Sequence, residues 1–174
     1  TFGGTISLTA DGGTISGGSA GLFADAFELG ALDDAGSAKG GTVAMNLING
    51  SSLVLDGGEG SVTLNLSASG YGAIGDSAAD AIGGSAWLTI SDSSANVSGT
   101  INSAALGLAN DLAALTPYGF NPVGFNATGG SATVSLLSTG VGTASLTTGD
   151  LIVDAGGDAS RPEFYFDGGE SYES

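Results

Sequence analysis

A Gly-Gly-Thr or Gly-Gly-Ser triplet occurs four times in this chain, and each copy opens a stretch in which apolar and polar residues alternate. The triplets begin at Gly3, Gly40, Gly83 and Gly129. A spacing of roughly 40 residues, kept through four copies, is typical of repeat proteins in which each unit covers the apolar face of the next. This feature favours a stacked array of short strands.

The stretches that follow the triplets predict the first strand of each repeat. Alternation with a period of two indicates that one face of the strand is buried and the other faces solvent. The predicted inward positions form two main columns, Ile6, Val43, Ala86 and Ala132, and Leu8, Met45, Leu88 and Val134. If the repeats stack, the members of one column lie over one another.

Two further strands are predicted in each repeat, separated by turns rich in Gly, Asp and Ser. The second strands are predicted at 14–16, 52–55, 95–98 and 143–147, and the third at about 20–24, 62–66, 104–108 and 151–155. Longer segments at 25–39, 69–82 and 110–128 close the first three repeats as loops on one side. The composition also allows helical turns at 25–38 and 77–82.

Three strands and a loop per repeat predict an all-β fold, a parallel β-helix of about four three-stranded coils. The array is predicted to span residues 1–159, with repeats at 3–39, 40–82, 83–128 and 129–159, and residues 160–174 form a separate aromatic tail. The alternative is an antiparallel β-sandwich, in which the same strands pair as hairpins. The regular repeat favours the β-helix. Because the sequence starts at Thr1, directly before a triplet, we expect a processed product or an excerpt of a longer protein.

The charge balance excludes several classes of function. The chain has 18 acidic and 2 basic residues, a formal net charge of −16, and neither histidine nor cysteine. Nucleic-acid binding requires clustered Lys and Arg, so we expect no nucleic-acid partner. Without cysteine and histidine, the chain cannot form disulfides, the usual zinc sites or a histidine-dependent catalytic site. The sequence has no stretch of about 20 apolar residues, the length needed to cross a membrane, so we expect no membrane insertion.

Calcium is the cation that the acidic turns would suit. Oxygen-only sites of carboxylates and backbone carbonyls are what calcium prefers. The sequences Asp-Gly-Gly-Glu-Gly, Asp-Ala-Gly-Gly-Asp and Asp-Gly-Gly-Glu offer the candidate ligands Asp56, Glu59, Asp154, Asp158 and Asp167. The same sequences also suit plain turns at strand corners, so both interpretations stay open.

Paired carboxylates could also act in polysaccharide cleavage. The candidate pairs are Asp33 with Asp34, Asp76 with Asp80, and Asp154 with Asp158. Lys39 and Arg161 are the only basic side chains, too few to accompany carboxylates in a cleft. We therefore predict that the chain is not an enzyme.

Aromatic residues are concentrated in two places outside the alternating stretches. The predicted assembly contacts are Phe164, Tyr165 and Phe166 in the tail, and Tyr118 and Phe120 in the third loop. An aromatic strand could extend the open sheet edge of a neighbouring subunit. Alternatively, the tail caps its own fold and the loop residues form a local core.

The repeats resemble those of large bacterial surface proteins. Gly-Gly-Thr-Ile-Ser-Leu-Thr-Ala, Gly-Gly-Thr-Val-Ala-Met-Asn-Leu and Gly-Gly-Ser-Ala-Thr-Val-Ser-Leu are similar to repeats of the filamentous-haemagglutinin-like and autotransporter-passenger types. The resemblance implies a parallel β-helix, secretion, an extracellular or bacterial cell-surface location, and a role in adhesion or matrix building.

Together these observations predict a non-enzymatic structural or adhesive repeat protein. Its expected partners are further copies of itself, joined end to end in a fibre, or flanking repeats of a longer surface filament. The alternative is a calcium-dependent module that binds a glycan or another surface ligand.

Overall fold

The computed structural model describes residues 1–28, 37–58, 60–72, 80–110 and 126–160. Within these ranges the regular elements are 17 strands, and every strand pair is parallel. The all-β prediction is confirmed, and the antiparallel β-sandwich is wrong. No helix in the described ranges is long and apolar enough to cross a membrane.

Sheet I contains the four predicted first strands, which lie side by side in repeat order. They are β1 (Thr5–Asp11), β6 (Thr42–Ile48), β11 (Ser85–Ser91) and β15 (Ser131–Leu137). Residues at the same place in each repeat pair with one another, so that Leu8 is opposite Met45, Met45 opposite Leu88, and Leu88 opposite Val134. The predicted columns are therefore in register.

Sheet II contains the second and third strands. Its members are β2 (Thr14–Gly17), β3 (Ala20–Phe23), β7 (Ser52–Leu55), β8 (Val62–Ser67), β12 (Ser94–Ala104) and β16 (Ser145–Asp154). In the third and fourth repeats the two strands merge, because β12 and β16 each run through both positions. The third strand predicted near 104–108 was placed too late, since Ile101 pairs with Leu64 and occupies that position.

Two sheets of short strands follow sheet II in each repeat. Sheet III consists of β4 (Ala26–Glu28), β9 (Gly70–Gly72), β13 (Gly107–Asn110) and β17 (Gly157–Ser160). Sheet IV consists of β5 (Ala38–Lys39), β10 (Asp80–Ile82) and β14 (Asn126–Thr128). The helical turns predicted at 25–38 and 77–82 are wrong where the chain is described, because 26–28, 38 and 80–82 are strand.

The main core lies between sheets I and II. Val43, Met45, Leu47, Leu88 and Ile90 are fully buried and pack with inward residues of sheet II, which include Leu53, Leu64, Leu66 and Ile101. All of these residues belong to the second and third repeats, which have a neighbouring repeat on both sides. Burial is thus greatest where a repeat is covered on both faces.

The end of sheet II returns to the start of sheet I. The second glycine of a triplet donates its backbone N–H to the carbonyl oxygen of an alanine. This alanine directly follows a sheet II strand of the preceding repeat. These hydrogen bonds are Gly41 to Ala24 (2.7 Å), Gly84 to Ala68 (2.7 Å) and Gly130 to Ala105 (2.8 Å). The end of a sheet II strand in one repeat therefore lies beside the start of sheet I in the next repeat.

Close backbone packing explains the glycine triplets. A Cβ on Gly41 would lie 1.9 Å from the carbonyl oxygen of Gly4, and a Cβ on Gly84 would lie 2.0 Å from that of Gly41. No side chain fits at these distances, so the repeated glycines are required by the stacking of one repeat on the next. Gly4 is the exception, because nothing lies within 4 Å of its Cβ position.

The corner between sheets I and II uses a left-handed residue in each of the first three repeats. Gly12, Asn49 and Asp92 occupy it with φ values of 68°, 55° and 45°. Glycine adopts this conformation freely, and Asn and Asp tolerate it better than other residues. The same turn thus recurs with different residues.

Candidate functional site

The predicted calcium ligands lie in exposed turns and edges. Asp56 follows β7 at a corner, Asp154 ends β16, and Asp158 lies in β17. The Asp154 carboxylate accepts a hydrogen bond from the Gly156 N–H at 2.9 Å, which is the geometry of a local turn. Glu59 and Asp167 lie outside the described residues. No three acidic side chains of the described ranges lie together as a metal site. Calcium binding therefore remains a prediction.

The carboxylate pairs considered for catalysis are only partly described. Asp33, Asp34 and Asp76 lie outside the described residues, whereas Asp80 accepts a hydrogen bond from the Asn126 side chain at 3.0 Å. Asp154 and Asp158 are both exposed at the edge of the fourth repeat. The described residues therefore offer no enclosed carboxylate pair on which to base a catalytic proposal.

The predicted assembly aromatics also lie outside the described residues. These are Tyr118, Phe120, Phe164, Tyr165 and Phe166. The described part of the chain has its own aromatic pair in sheet III, where Phe27 and Tyr71 stack at a centroid distance of 4.6 Å and an interplanar angle of 3°. Phe27 belongs to the first repeat and is 62% exposed.

The two ends of the stack are where apolar side chains are exposed. All the exposed large apolar side chains of the described ranges, except Val54 and Val62, belong to the first or the fourth repeat. In the first repeat they are Phe2, Leu8, Phe23 and Phe27, and in the fourth they are Leu136, Leu137, Val141, Leu151, Ile152 and Val153. Leu8 and Leu136 lie at positions whose counterparts in the second and third repeats are fully buried. The outer strands thus have an inward-facing surface with no described repeat over it.

The same ends interrupt two ladders of backbone hydrogen bonds. In the first ladder the backbone N–H groups donate to carbonyl oxygens, each at 2.8 Å: Gly3 to Lys39, Gly40 to Ile82 and Gly83 to Thr128. In the second ladder the N–H groups donate in the same way at 2.8 to 2.9 Å: Ala24 to Ser67, Ala68 to Ala104 and Ala105 to Asp154. The next donors in these series are the N–H groups of Gly129 and Ala155, for which the described residues provide no acceptor.

A polar recess at the corner between sheets I and II was not anticipated from the sequence. Its volume is about 440 Å³, and it is lined by Asn49, Gly50, Asp92, Thr139, Val141 and Gly142. The Asp92 carboxylate accepts hydrogen bonds from the Thr139 hydroxyl and from the Thr139 N–H, the latter at 2.8 Å. These bonds, the hydroxyl one above all, lower the pKa of Asp92 because they stabilise the charged form. The recess is open and holds one acidic side chain, Asp92, whose hydrogen bonds to Thr139 stabilise the turn there. We therefore assign the recess a structural role.

The two open edges are consequently the most distinctive surfaces of the described chain. Exposed apolar side chains lie at both edges, and at the fourth repeat they occur together with two backbone donors for which the described residues provide no acceptor. Comparison of this chain with family models, with curated proteins and with solved structures found no match.

Proposed function

We propose that this chain is a non-enzymatic structural element whose repeats are coils of a parallel β-helix, and that it associates end to end. The observation that carries the proposal is the pair of open edges at the first and fourth repeats. Uncovered strand edges are templates for pairing with another chain, and natural repeat proteins usually cover them with caps.

The coil interpretation is supported by the return of sheet II to sheet I. The Gly41, Gly84 and Gly130 N–H groups bond to alanines of the preceding turn, so the path from β1 to Ala24 comes back on itself one repeat further along the stack. Sheets I and II then form the walls of each coil. Sheets III and IV form a short extension beside it.

The location and role follow from composition and from the resemblance of the repeats. An acidic, cysteine-free chain rich in Gly, Ser and Thr suits an extracellular or bacterial cell-surface filament. There, a stack that lengthens by adding copies would serve adhesion or matrix building. The charge of −16 would oppose association at low ionic strength and keep dispersed chains soluble.

Sedimentation velocity over a wide range of protein concentration tests the proposal. We expect the average mass to rise with concentration. Val134→Lys should abolish the rise, because Val134 is an inward residue of β15 and an ammonium group there would have to be buried in the contact.

Thr133→Lys is the matched control, since Thr133 is the neighbouring outward residue of the same strand and is exposed. This variant should associate like the parent chain, and circular dichroism should show that both variants are folded. A parent chain that stays monomeric at every concentration would refute the proposed function.

A further inference from the structure

We infer that the partner is a second copy of this chain, docked head to tail in the register that the repeats already use with one another. In this junction β15, β16 and β17 of one copy pair with β1 to β4 of the next. The inference rests on the proposed function and adds to it the two surfaces and their residue-by-residue alignment.

The register follows from sheet I. Thr5, Thr42, Ser85 and Ser131 occupy equivalent positions, as do Leu8, Met45, Leu88 and Val134. A fifth strand added by the same rule would place Thr5 of the second copy beside Ser131. It would also place Ile6 beside Ala132, Leu8 beside Val134, and Ala10 beside Leu136.

At four positions of this alignment the two side chains differ in size in a complementary way. Ala132 would meet the larger Ile6, and Leu136, which is 46% exposed, would meet the small Ala10. In sheet II the same rule places the exposed Leu151 beside Ala20 and the exposed Ile152 beside Gly21. At these four positions a large residue of one edge meets a small residue of the other, which allows close packing without overfilling. At Leu8 and Val134 two larger apolar residues would pair, as Met45 and Leu88 do in the inner repeats.

The alignment also places three described carboxylates of the matched strands away from other acids. Asp11 would lie beside Leu137, Asp154 beside Phe23, and Asp158 beside Phe27. Each of these acids has an apolar neighbour across the junction instead of another acid. For a chain with a net charge of −16, this avoids the local repulsion that like charges directly opposite would cause.

Both interrupted hydrogen-bond ladders would continue through the junction. Phe2 forms a parallel bridge with Lys39 and so holds the first-repeat position of the Lys39, Ile82 and Thr128 series. The Gly129 N–H would therefore donate to the Phe2 carbonyl of the second copy. By the same rule the Ala155 N–H would donate to the Phe23 carbonyl.

Disulfide trapping tests the register, and the chain has no native cysteine to interfere. Ser7 and Thr133 are exposed outward residues that occupy equivalent positions in β1 and β15. Full-length Ser7→Cys and Thr133→Cys chains, mixed in equal amounts and oxidised, should form a heterodimer. Their Cα atoms would be about 4.8 Å apart, within the range a disulfide spans.

The matched control replaces Ser7→Cys with Thr9→Cys, two residues further along the same exposed face. Its Cα atom would be about 8 Å from that of residue 133, beyond disulfide reach. The heterodimer yield should be at least tenfold lower than with Ser7→Cys. Ser7→Cys alone should give almost no homodimer, because a head-to-tail junction never brings two first repeats together.

The outcomes separate the register from the proposed function. Association without the Ser7–Thr133 crosslink, or with equal yield at Thr9, would overturn the register and leave end-to-end association standing. Absence of association would overturn both. A full-length chain with Phe164, Tyr165 and Phe166 replaced by Ser should crosslink like the parent; a loss or a marked gain would show that the tail occupies this edge, and would overturn the direct junction.

Discussion

Replacing Leu88 with Ala should destabilise the monomer much more than the same change at Leu8. Both residues belong to one inward column of sheet I. Leu88 is fully buried and has register partners on both sides, Met45 and Val134, whereas Leu8 is 37% exposed and has a described partner on one side only. The comparison isolates the effect of stacking, because the side chain removed is the same.

The magnitudes follow from burial. Leu88→Ala should cost about 3 kcal/mol, since it removes a fully buried side chain and leaves a cavity closed by neighbouring repeats. Leu8→Ala should cost about 1.5 kcal/mol, because part of that side chain is already in water and an open edge encloses no cavity. For a chain of this size, about 1 kcal/mol lowers Tm by roughly 2–4 °C, so the expected decreases are about 6–12 °C and about 3–6 °C.

Thermal unfolding followed by circular dichroism measures the difference at a protein concentration at which the chain is monomeric. At a concentration at which it associates, the decrease for Leu8→Ala should grow toward that for Leu88→Ala, because Leu8 would then be covered by a second copy. Equal decreases in the monomer, or a larger one for Leu8→Ala, would refute the argument that burial comes from stacking.

Three further predictions follow from the described contacts. Gly84→Ala should lower the free energy of unfolding of the monomer by about 1–3 kcal/mol, because its Cβ would lie 2.0 Å from the Gly41 carbonyl oxygen, while Gly4→Ala should be nearly neutral in the monomer. Chemical denaturation of both variants, at a concentration at which the chain is monomeric, measures this difference, and equal losses would contradict it. Thr139→Ala should raise the pKa of Asp92 toward its ordinary value, as measured by NMR titration. Because the folded-state pKa of Asp92 is lowered, its contribution to stability is present above the unfolded value of about 3.9 and is lost as the pH falls through the folded value; a pKa unchanged in the variant would show that the Thr139 hydroxyl has no such effect. Finally, raising the salt concentration from about 0.01 M to about 0.5 M should increase end-to-end association, because it screens a net charge of −16, and light scattering that falls with salt would argue against an apolar junction.

The first strands and their alignment could be predicted from the sequence because their signal is strong. The alternation after each Gly-Gly triplet identifies the inward residues, and the repetition of the triplet fixes which residues share a column. These two facts predict that Leu8, Met45, Leu88 and Val134 are neighbours on adjacent strands, and the strand register of the structure confirms this. The contacts of Gly41 and Gly84 show why the triplets recur, because the close approach of the neighbouring repeat leaves no room for a Cβ.

Sheets III and IV could not be predicted in the same way. Strands such as Gly70–Gly72 and Ala38–Lys39 are only three and two residues long. Such segments carry no alternation, and their strand conformation comes from pairing with the neighbouring repeat instead of from local preference. The merged strand β12 was missed for a related reason: turn-forming residues such as Gly99 lie inside it, where the strand has a β-bulge.

The site was predictable only in outline. Four stacked repeats imply an exposed edge at each end, but the residues that form those edges, and the proposed matching of Leu136 with Ala10, depend on the register. The recess around Asp92 and Thr139 gave no sequence signal, because the two residues are far apart in the chain and meet only through stacking.

Cryo-electron microscopy of the associated chain, with helical reconstruction, tests the central claim most directly. Four strand layers per copy, at a spacing of about 4.8 Å, predict a filament that rises by about 19 Å for each added copy, with strands perpendicular to the filament axis. A particle that stays a monomer, a closed dimer with two first repeats in contact, or a filament whose rise does not accommodate four strand layers per copy would contradict the account.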